Sequence, residues 1–183
     1  MAHSSEEFTA VMDELIILKP FFLRPMQKYG VRELSRITKL DTKTVMKYLQ
    51  AFTRRKIIVK KQEKGKFPYY EADRTSYAYR HEKREFLFQK IIKSGLIDYL
   101  EKRLHPKTLV LFGSVAKGTY HQESDIDLFV QTDYKRIDLT VFNRRIGHPI
   151  QLLFEPKMQN LSKGLRENIY NGLVIMGQVE AVA

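Results

Sequence analysis

The chain has no cysteine, and its 183 residues include only 9 glycines and 6 prolines. Without cysteine, neither a disulfide framework nor a thiolate metal site can form, which agrees with a reducing compartment. No segment reaches the roughly 18 uncharged apolar residues of a membrane-spanning helix. The first ten residues, MAHSSEEFTA, lack the basic start and apolar run of a signal peptide. We therefore expect a cytoplasmic protein with no membrane partner.

Internal repeats and low-complexity segments are also absent. Hydrophobic residues make up 43% of the chain and aromatic residues 11%. This composition excludes wholesale disorder, because such a chain can bury apolar cores. A length of 183 residues accommodates one full domain or two small ones.

Basic residues are in excess, and the excess is concentrated in the first part of the chain. The net charge is +11, and through residue 78 there are 16 Lys and Arg against 9 Asp and Glu. The densest stretch, residues 54–66, contains one acidic residue, Glu63. Its basic residues are Arg54, Arg55, Lys56, Lys60, Lys61, Lys64 and Lys66. Such a distribution favours a polyanionic partner, although a charge run alone also describes a solvated surface.

Residues 31–54 have the pattern of two short helices joined by a tight turn. Apolar residues recur at helical spacing on both sides of the interrupting segment TKLD. They are Val31, Leu34 and Ile37 before the turn, and Val45, Leu49 and Phe52 after it. Asp41 or Thr42 is the predicted N-cap of the second helix.

A basic hairpin is predicted to follow these helices. Two β-prone runs flank the segment EKGK, in which Gly65 supplies the turn and lysines occupy the tip. Phe67, Tyr69 and Tyr70 could stack on nucleic-acid bases, but aromatic residues of a small hairpin more often form its packed side. We assign these three to packing.

Residues 5–75 resemble a winged helix-turn-helix domain, with SSEEFTAVMDELIILKPFFL as its first helix. The resemblance implies binding to double-stranded DNA, with the second helix of the motif in the major groove and the hairpin on the backbone or minor groove. Similar modules also mediate protein contacts, so that alternative stays open. The DNA-contacting residues it implies are Thr42, Lys43, Thr44, Lys47, Arg54, Lys64 and Lys66.

Residues 76–104 mix charged and apolar residues at roughly helical intervals. We interpret them as a connecting helix that packs on a second domain, residues 105–183. Gly95 is expected to bend or divide this helix.

The segment LFGSVAKGTYHQESDIDLFV, residues 111–130, contains the candidate ligand-binding and metal-binding residues. Gly113 and Ser114 end an apolar run typical of a buried strand, and glycine lets a backbone approach a ligand closely. The next residues could begin a helical turn whose N–H groups attract phosphate. In DIDLFV, strand alternation places Asp125 and Asp127 on one face, roughly 7 Å apart along the backbone. Two such carboxylates can share a divalent cation.

The order Gly-Ser, ten residues, Asp-x-Asp resembles the minimal nucleotidyltransferases of the DNA polymerase beta-like nucleotidyltransferase superfamily. The resemblance spans residues 85–178 and implies an α/β (α+β) fold, in which helices flank a small mixed sheet. It also implies a nucleoside triphosphate substrate and Mg²⁺ or Mn²⁺ as cofactor. Asp125 and Asp127 would then be catalytic metal ligands. The residues implied to bind nucleotide are Gly113, Ser114, Lys117 and Ser124.

One position departs from that family. Catalytic members place a third carboxylate on the strand after the next helix, and the matching position here is Gln151. Its amide is uncharged and is no base. Glu155 lies roughly 13 Å further along the predicted strand, and alternation places His148 on the opposite face, so both are poor substitutes. The elements predicted around Gln151 are a helix over 133–147, a strand over 148–155, a helix over 157–172 and a strand over 173–177.

Three functions remain open at this point. The first is an enzyme that transfers a nucleoside monophosphate to a hydroxyl on a protein, a small molecule or a nucleic-acid end. The second is a transcriptional regulator whose nucleotidyltransferase-like domain senses nucleotide without turnover. The third is an antitoxin-like module that acts on or binds a toxin. A homodimer is open as well, because winged-helix proteins often bind palindromic sites as dimers, but the sequence pattern contains no recognisable dimer seam.

Overall fold

The computed structural model describes residues 2–180. The chain divides into two compact units, Met1–Arg80 and His81–Ala183. No helix within the described residues is both long enough and apolar enough to cross a membrane.

The first unit has three helices followed by a β-hairpin, in the order predicted from the sequence. The elements are α1 (Ala2–Leu23), α2 (Val31–Thr38), α3 (Thr42–Arg54), β1 (Ile58–Lys61) and β2 (Tyr69–Ala72). The two strands pair antiparallel, with Ile58 opposite Ala72, and Gly65 turns between them at a φ of +76°. Asp41 is the N-cap of α3, and its side chain accepts hydrogen bonds from two N–H groups of the first turn.

Apolar side chains from all three helices and the hairpin form the core of this unit. Each of them is at most 5% exposed. They include Ile17, Leu18 and Phe21 of α1, Leu34 of α2, Val45, Leu49 and Phe52 of α3, and Ile57, Ile58 and Tyr70 of the hairpin. The hydroxyl of Tyr79, which is also buried, donates a hydrogen bond to the carbonyl of Phe21 at 3.0 Å.

Two residues of the first unit lie at the surface, contrary to the sequence prediction. Ile37 is 51% exposed. Steps of three residues advance about 300° around a helix, so a residue three positions beyond Leu34 has rotated about 60° away from the core. Phe67 is 88% exposed. It lies beyond the last paired residues of the hairpin, Lys61 and Tyr69, where no sheet face can cover it.

The second unit is a four-stranded mixed sheet flanked by helices, which confirms the predicted α+β class for this part of the chain. The strand order is β5-β4-β3-β6, with β4 and β5 parallel and the other pairs antiparallel. The strands are β3 (Leu109–Phe112), β4 (Ile126–Val130), β5 (Ile150–Phe154) and β6 (Leu173–Met176). The helices are α4 (Tyr77–Lys93), which begins in the first unit, α5 (Leu96–Leu104), α6 (Gly113–Lys117), α7 (Thr140–Ile146) and α8 (Lys163–Tyr170).

Both faces of this sheet are covered, which explains the continuous apolar runs in its strands. One face packs against α4 and α5 through Leu87, Ile91, Leu96, Leu100 and Leu104. On the other face, Val110 and Phe129 pack with Met158, Leu161 and Ile169. Gly95, at a φ of +80°, separates α4 from α5, so the predicted connecting helix is divided at the residue expected to divide it.

The two helices predicted around β5 are shorter than expected. Residues 133–139 are not helical, and α7 begins only at Thr140, whose N–H donates to the Asp138 carboxylate at 2.9 Å. The predicted helix over 157–172 consists of a 3₁₀ turn, Met158–Asn160, followed by α8. Asp138 and Ser162 are residue types that start helices, and the sequence interpretation had placed both inside one.

Candidate functional site

The turn from β3 into α6 lies against the carboxylate of Asp127. Gly113 occupies this turn with a φ of +73°, a conformation that glycine adopts without strain. A Cβ atom at this position would overlap Oδ2 of Asp127 and would lie 3.1 Å from its carboxyl carbon. The pairing of Phe112 with Asp127 across β3 and β4 sets this approach. Because glycine has no side chain, the backbone at position 113 can lie directly against the carboxylate of Asp127.

Asp125 and Asp127 are both partly buried at the start of β4. The strand itself begins at Ile126, so Asp125 immediately precedes it instead of lying within it as predicted. Burial raises the pKa of Asp127 above its usual value, and the negative charge of Asp125 raises it further. The two carboxylates are therefore near enough to repel each other, and a bound cation would relieve that repulsion.

Gln151 lies directly beside Asp127 on the neighbouring strand. In the parallel pairing of β4 with β5, these two residues are in register, so their side chains project from the same face of the sheet. Gln151 is exposed. No group of three or more His, Cys, Asp or Glu side chains within the described residues could hold a metal ion. The site thus offers two carboxylates and one neutral amide.

The two substitutes considered for a third carboxylate are engaged elsewhere. Oε1 of Glu155 accepts hydrogen bonds from the N–H of Lys157 at 3.0 Å and from the side chain of Asn160 at 2.9 Å. His148 is 8% exposed. Its Nδ1 lies 2.9 Å from the carbonyl oxygen of Ser124, and its ring meets that of Tyr120 edge to face. His148 therefore packs beside the loop that leads to Asp125.

The remaining predicted nucleotide ligands lie near this turn and its loop. Ser114, in the first turn of α6, is partly buried. Lys117 is exposed, and its Nζ donates to Oδ1 of Asn168 at 3.0 Å. The hydroxyl of Ser124 accepts a hydrogen bond from the N–H of His121 at 2.9 Å, so in this structure it closes the loop.

A lysine that sequence reasoning missed supports the same loop. Lys83 of α4 is 3% exposed, and its Nζ donates to the carbonyl of Tyr120. The same ammonium lies 4.5 Å from the centre of the Tyr120 ring, and the Tyr120 hydroxyl donates back to the carbonyl of Lys83. The signal was present in the sequence, because Lys83 occupies the helical position that precedes the buried Leu87 and Ile91 at four-residue spacing.

In the first unit, the exposed side of α3 forms a shallow basic groove. Its lining residues are Thr42, Lys43, Met46, Lys47 and Gln50. The hydroxyl of Thr44, another predicted DNA contact, donates to Oδ2 of Asp41 at 2.6 Å and so belongs to the helix cap. That hydrogen bond is the main reason why the pKa of Asp41 is lowered.

The basic residues predicted to contact DNA beyond this groove are all exposed. They are Arg54 at the end of α3, and Lys64 and Lys66 at the tip of the hairpin. Lys66 forms a surface ion pair with Glu63, the acidic residue of that stretch. Exposed ion pairs of this kind are weak, so Lys66 can leave Glu63 for an anion that binds it more strongly.

A comparison with known proteins gives a family match within the second unit. No curated protein and no solved structure matches the chain significantly. Residues 94–180 match the family described as "Polymerase beta, Nucleotidyltransferase". This range includes β3 to β6 and every residue of the site from Gly113 to Gln151. The match supports the assignment of residues 94–180 to the nucleotidyltransferase superfamily.

Proposed function

We propose that this chain is a DNA-binding nucleotidyltransferase that takes a nucleoside triphosphate with Mg²⁺ or Mn²⁺ and transfers the nucleoside monophosphate to a hydroxyl group. The observation that carries this proposal is the contact between Gly113 and the carboxylate of Asp127. This contact places a turn that can bind phosphate next to a carboxylate that can bind a cation. The family match of residues 94–180 supports the reaction class.

The donor set fits a hard divalent cation held jointly with the triphosphate. Asp125 and Asp127 supply carboxylate oxygens, which Mg²⁺ and Mn²⁺ prefer, and their mutual repulsion favours a cation between them. The Gln151 amide oxygen can add a neutral ligand. When bound, the cation would neutralise phosphate charge and polarise the reacting phosphoryl group. With only two carboxylates, the chain needs the phosphates and water to complete the coordination.

The residues around this pair have separate tasks in the proposed reaction. The Gly113–Ser114 turn and the Lys117 ammonium hold the phosphates, which requires Lys117 to leave Asn168. The oxygen of the acceptor hydroxyl bonds to the α-phosphorus, and the bond from that phosphorus to the bridging oxygen breaks. Pyrophosphate leaves with the electron pair. Gln151 cannot take the hydroxyl proton, so the proton passes to water or to a base on the acceptor.

The test supplies radiolabelled nucleoside triphosphates, one base at a time, with Mg²⁺ or Mn²⁺. Label is followed on protein and RNA, and released pyrophosphate is measured. The control is the double variant Asp125→Ala/Asp127→Ala. Transfer that disappears in this variant supports the proposed enzyme, whereas equal incorporation by both proteins would disprove it.

A nucleotide sensor without turnover is the second candidate, and the position of Gln151 beside Asp127 favours it. Its signature is metal-dependent nucleotide binding without pyrophosphate release. Loss of that binding in Asp125→Ala/Asp127→Ala would distinguish a sensor from a chain that binds no nucleotide at this site.

The first unit is proposed to bind double-stranded DNA as a winged helix-turn-helix domain. The supporting features are the basic groove on α3 and the lysine-bearing hairpin that follows it. The exposure of Phe67 at the hairpin also leaves an aromatic ring available at this surface.

A further inference from the structure

An apolar groove in the first unit lies between the hairpin and the first turns of α2 and α3. Its volume is about 420 Å³. Phe67 is 88% exposed and Met46 is 46% exposed, so two of its large apolar side chains are open to solvent. An exposed apolar surface with polar residues at its rim marks an interaction site. The lining residues that matter below are Val31, Arg32, Thr42, Met46, Phe67 and Pro68.

This apolar groove is continuous with the basic groove on α3, because Thr42 and Met46 line both of them. Residues four positions apart differ by about 40° around a helix, so Thr42 and Met46 lie in one row along α3. Lys43 and Lys47 form the next row, about 100° further around the helix. Thr42 and Met46 therefore join the groove beside Phe67 to the row of lysines.

The charges of the segment that forms both grooves favour a nucleic acid as the partner. Residues 30–66 contain 12 Lys and Arg but only three acidic residues. Each acidic side chain is engaged within the chain: Glu33 accepts from the N–H of Gly30, Asp41 caps α3, and Glu63 pairs with Lys66. The phosphates of a nucleic acid suit the cations, and its bases suit the apolar groove.

We propose that Met46 and Phe67 recognise thymine in double-stranded DNA through its 5-methyl group, an inference that rests on the proposed binding of DNA to α3. In the major groove, the edges of the base pairs present hydrogen-bonding groups, and the thymine methyl is the apolar group among them. With α3 in that groove, the lysine row contacts phosphate while the apolar row meets the base edges. The methyl group of Thr42 belongs to the same apolar surface. The side chains of this groove therefore match thymine better than any other base.

The experiment removes the methyl group from the DNA and leaves the protein unchanged. Duplexes that the full chain binds tightly are selected from a pool of random sequence, and each is then synthesised again with deoxyuridine in place of thymidine. Uracil pairs as thymine does but lacks the methyl group. Fluorescence anisotropy should show affinity lower by about fourfold for each methyl group contacted. Salt should weaken binding to both duplexes while their affinity ratio stays constant, because a methyl contact releases no counterions.

Variants of the groove test whether these two side chains produce the preference. Met46→Ala/Phe67→Ala should bring the affinity ratio of the thymine and uracil duplexes to one, whereas Met46→Leu stays apolar and should keep most of it. Met26→Ala/Tyr134→Ala is the matched control, because Met26 is 72% exposed, Tyr134 is 74% exposed and neither lines the groove. Its ratio should equal that of the natural chain. Each ratio compares two duplexes on one protein, so changes in stability do not affect it.

The possible failures separate this inference from DNA binding itself. Equal affinity for the thymine and uracil duplexes would overturn thymine recognition while leaving DNA binding intact. A preference that survives in Met46→Ala/Phe67→Ala would also overturn it, because other residues would then contact the methyl group. Tighter binding to single-stranded DNA that depends on Phe67 would replace it with stacking on an unpaired base. Failure to bind any duplex would disprove DNA binding by the first unit, and thymine recognition with it.

Discussion

The backbone of Gly113 lies so close to the carboxylate of Asp127 that no side chain fits between them. Gly113→Ala therefore adds two costs: alanine in a left-handed conformation and a methyl group that displaces the carboxylate. We expect a loss of about 1–3 kcal/mol in the free energy of unfolding, together with loss of metal-dependent nucleotide binding. Chemical denaturation and isothermal titration calorimetry measure the two effects.

Gly95→Ala is the matched control for this prediction. Gly95 has a φ of +80°, but a Cβ atom there meets nothing within 4 Å. Gly95→Ala therefore adds only the cost of alanine in a left-handed backbone conformation. Nucleotide binding by this variant should be unchanged. Equal loss of binding in both variants would contradict the importance of the contact with Asp127.

Asp127 is expected to destabilise the metal-free protein at neutral pH. Its raised pKa means that the folded state disfavours the ionised carboxylate, because burial and the charge of Asp125 both oppose ionisation. The stability associated with the protonated form is present at low pH and is lost as pH rises through the raised pKa. Asp127→Asn should therefore melt at a higher temperature than the natural protein at pH 7, and the difference should shrink toward acidic pH.

Asp138→Asn is expected to lower the melting temperature at pH 7, which is the opposite of the effect expected for Asp127→Asn. Hydrogen bonds from Thr140 lower the pKa of Asp138, so its ionised form stabilises the fold above its ordinary pKa. Thermal melts of both variants across pH, without metal and with Mn²⁺ plus nucleotide, give the comparison. A lower melting temperature for Asp127→Asn at pH 7 would contradict the predicted repulsion.

Gln151→Asp adds a third carboxylate beside Asp127. We expect tighter Mn²⁺ binding and lower metal-free stability, because a further negative charge joins two that already repel. Turnover should also rise, since an aspartate can accept the hydroxyl proton. Calorimetry, thermal melts and pyrophosphate release measure these effects, with Gln151→Asn as the uncharged control. Unchanged Mn²⁺ affinity would show that residue 151 does not face the cation.

Lys83 is expected to position the loop that leads to Asp125. Lys83→Met keeps most of the aliphatic stem but removes the hydrogen bond to the carbonyl of Tyr120. Leaving that buried acceptor without a donor costs about 1–3 kcal/mol, and nucleotide affinity should fall as the loop loosens. Lys90→Met is the control, because Lys90 makes a similar bond from α4 to the carbonyl of Ile146. Hydrogen exchange should increase over residues 118–125 in the first variant only. Equal exchange in the two variants would contradict the positioning role.

The sequence predicted the elements of the second unit that are defined by short apolar runs. Strands β3 to β6 all occur where such runs end at glycine, proline or polar residues. The helix boundaries were less predictable, because Asp138 and Ser162 have side chains that suit a helix start as well as an exposed helix surface. Only tertiary packing decides between these two uses.

The candidate site was predictable in its composition and less so in its contacts. Strand alternation selects Asp127, whereas Asp125 immediately precedes β4, and Gln151 follows from the resemblance to the family. The overlap between Gly113 and Asp127 depends on the pairing register of β3 and β4, which no local pattern reveals. Lys83 was missed because a lysine at an apolar position of a helix is usually exposed, and its acceptor is 37 residues away.

DNA binding by the first unit is the remaining prediction. Lys43 and Lys47 line the groove on α3, and Lys43→Gln/Lys47→Gln should weaken binding to double-stranded DNA. If each lysine contacts one phosphate, the slope of log affinity against log salt should fall by about 0.9 for each lysine removed. Fluorescence anisotropy over a salt series measures both quantities. Lys102→Gln/Lys135→Gln removes the same charge from exposed positions of the second unit and should leave the slope unchanged. Equal effects of the two double variants would mean that net charge alone attracts DNA, and the α3 groove would then be better explained as a protein contact.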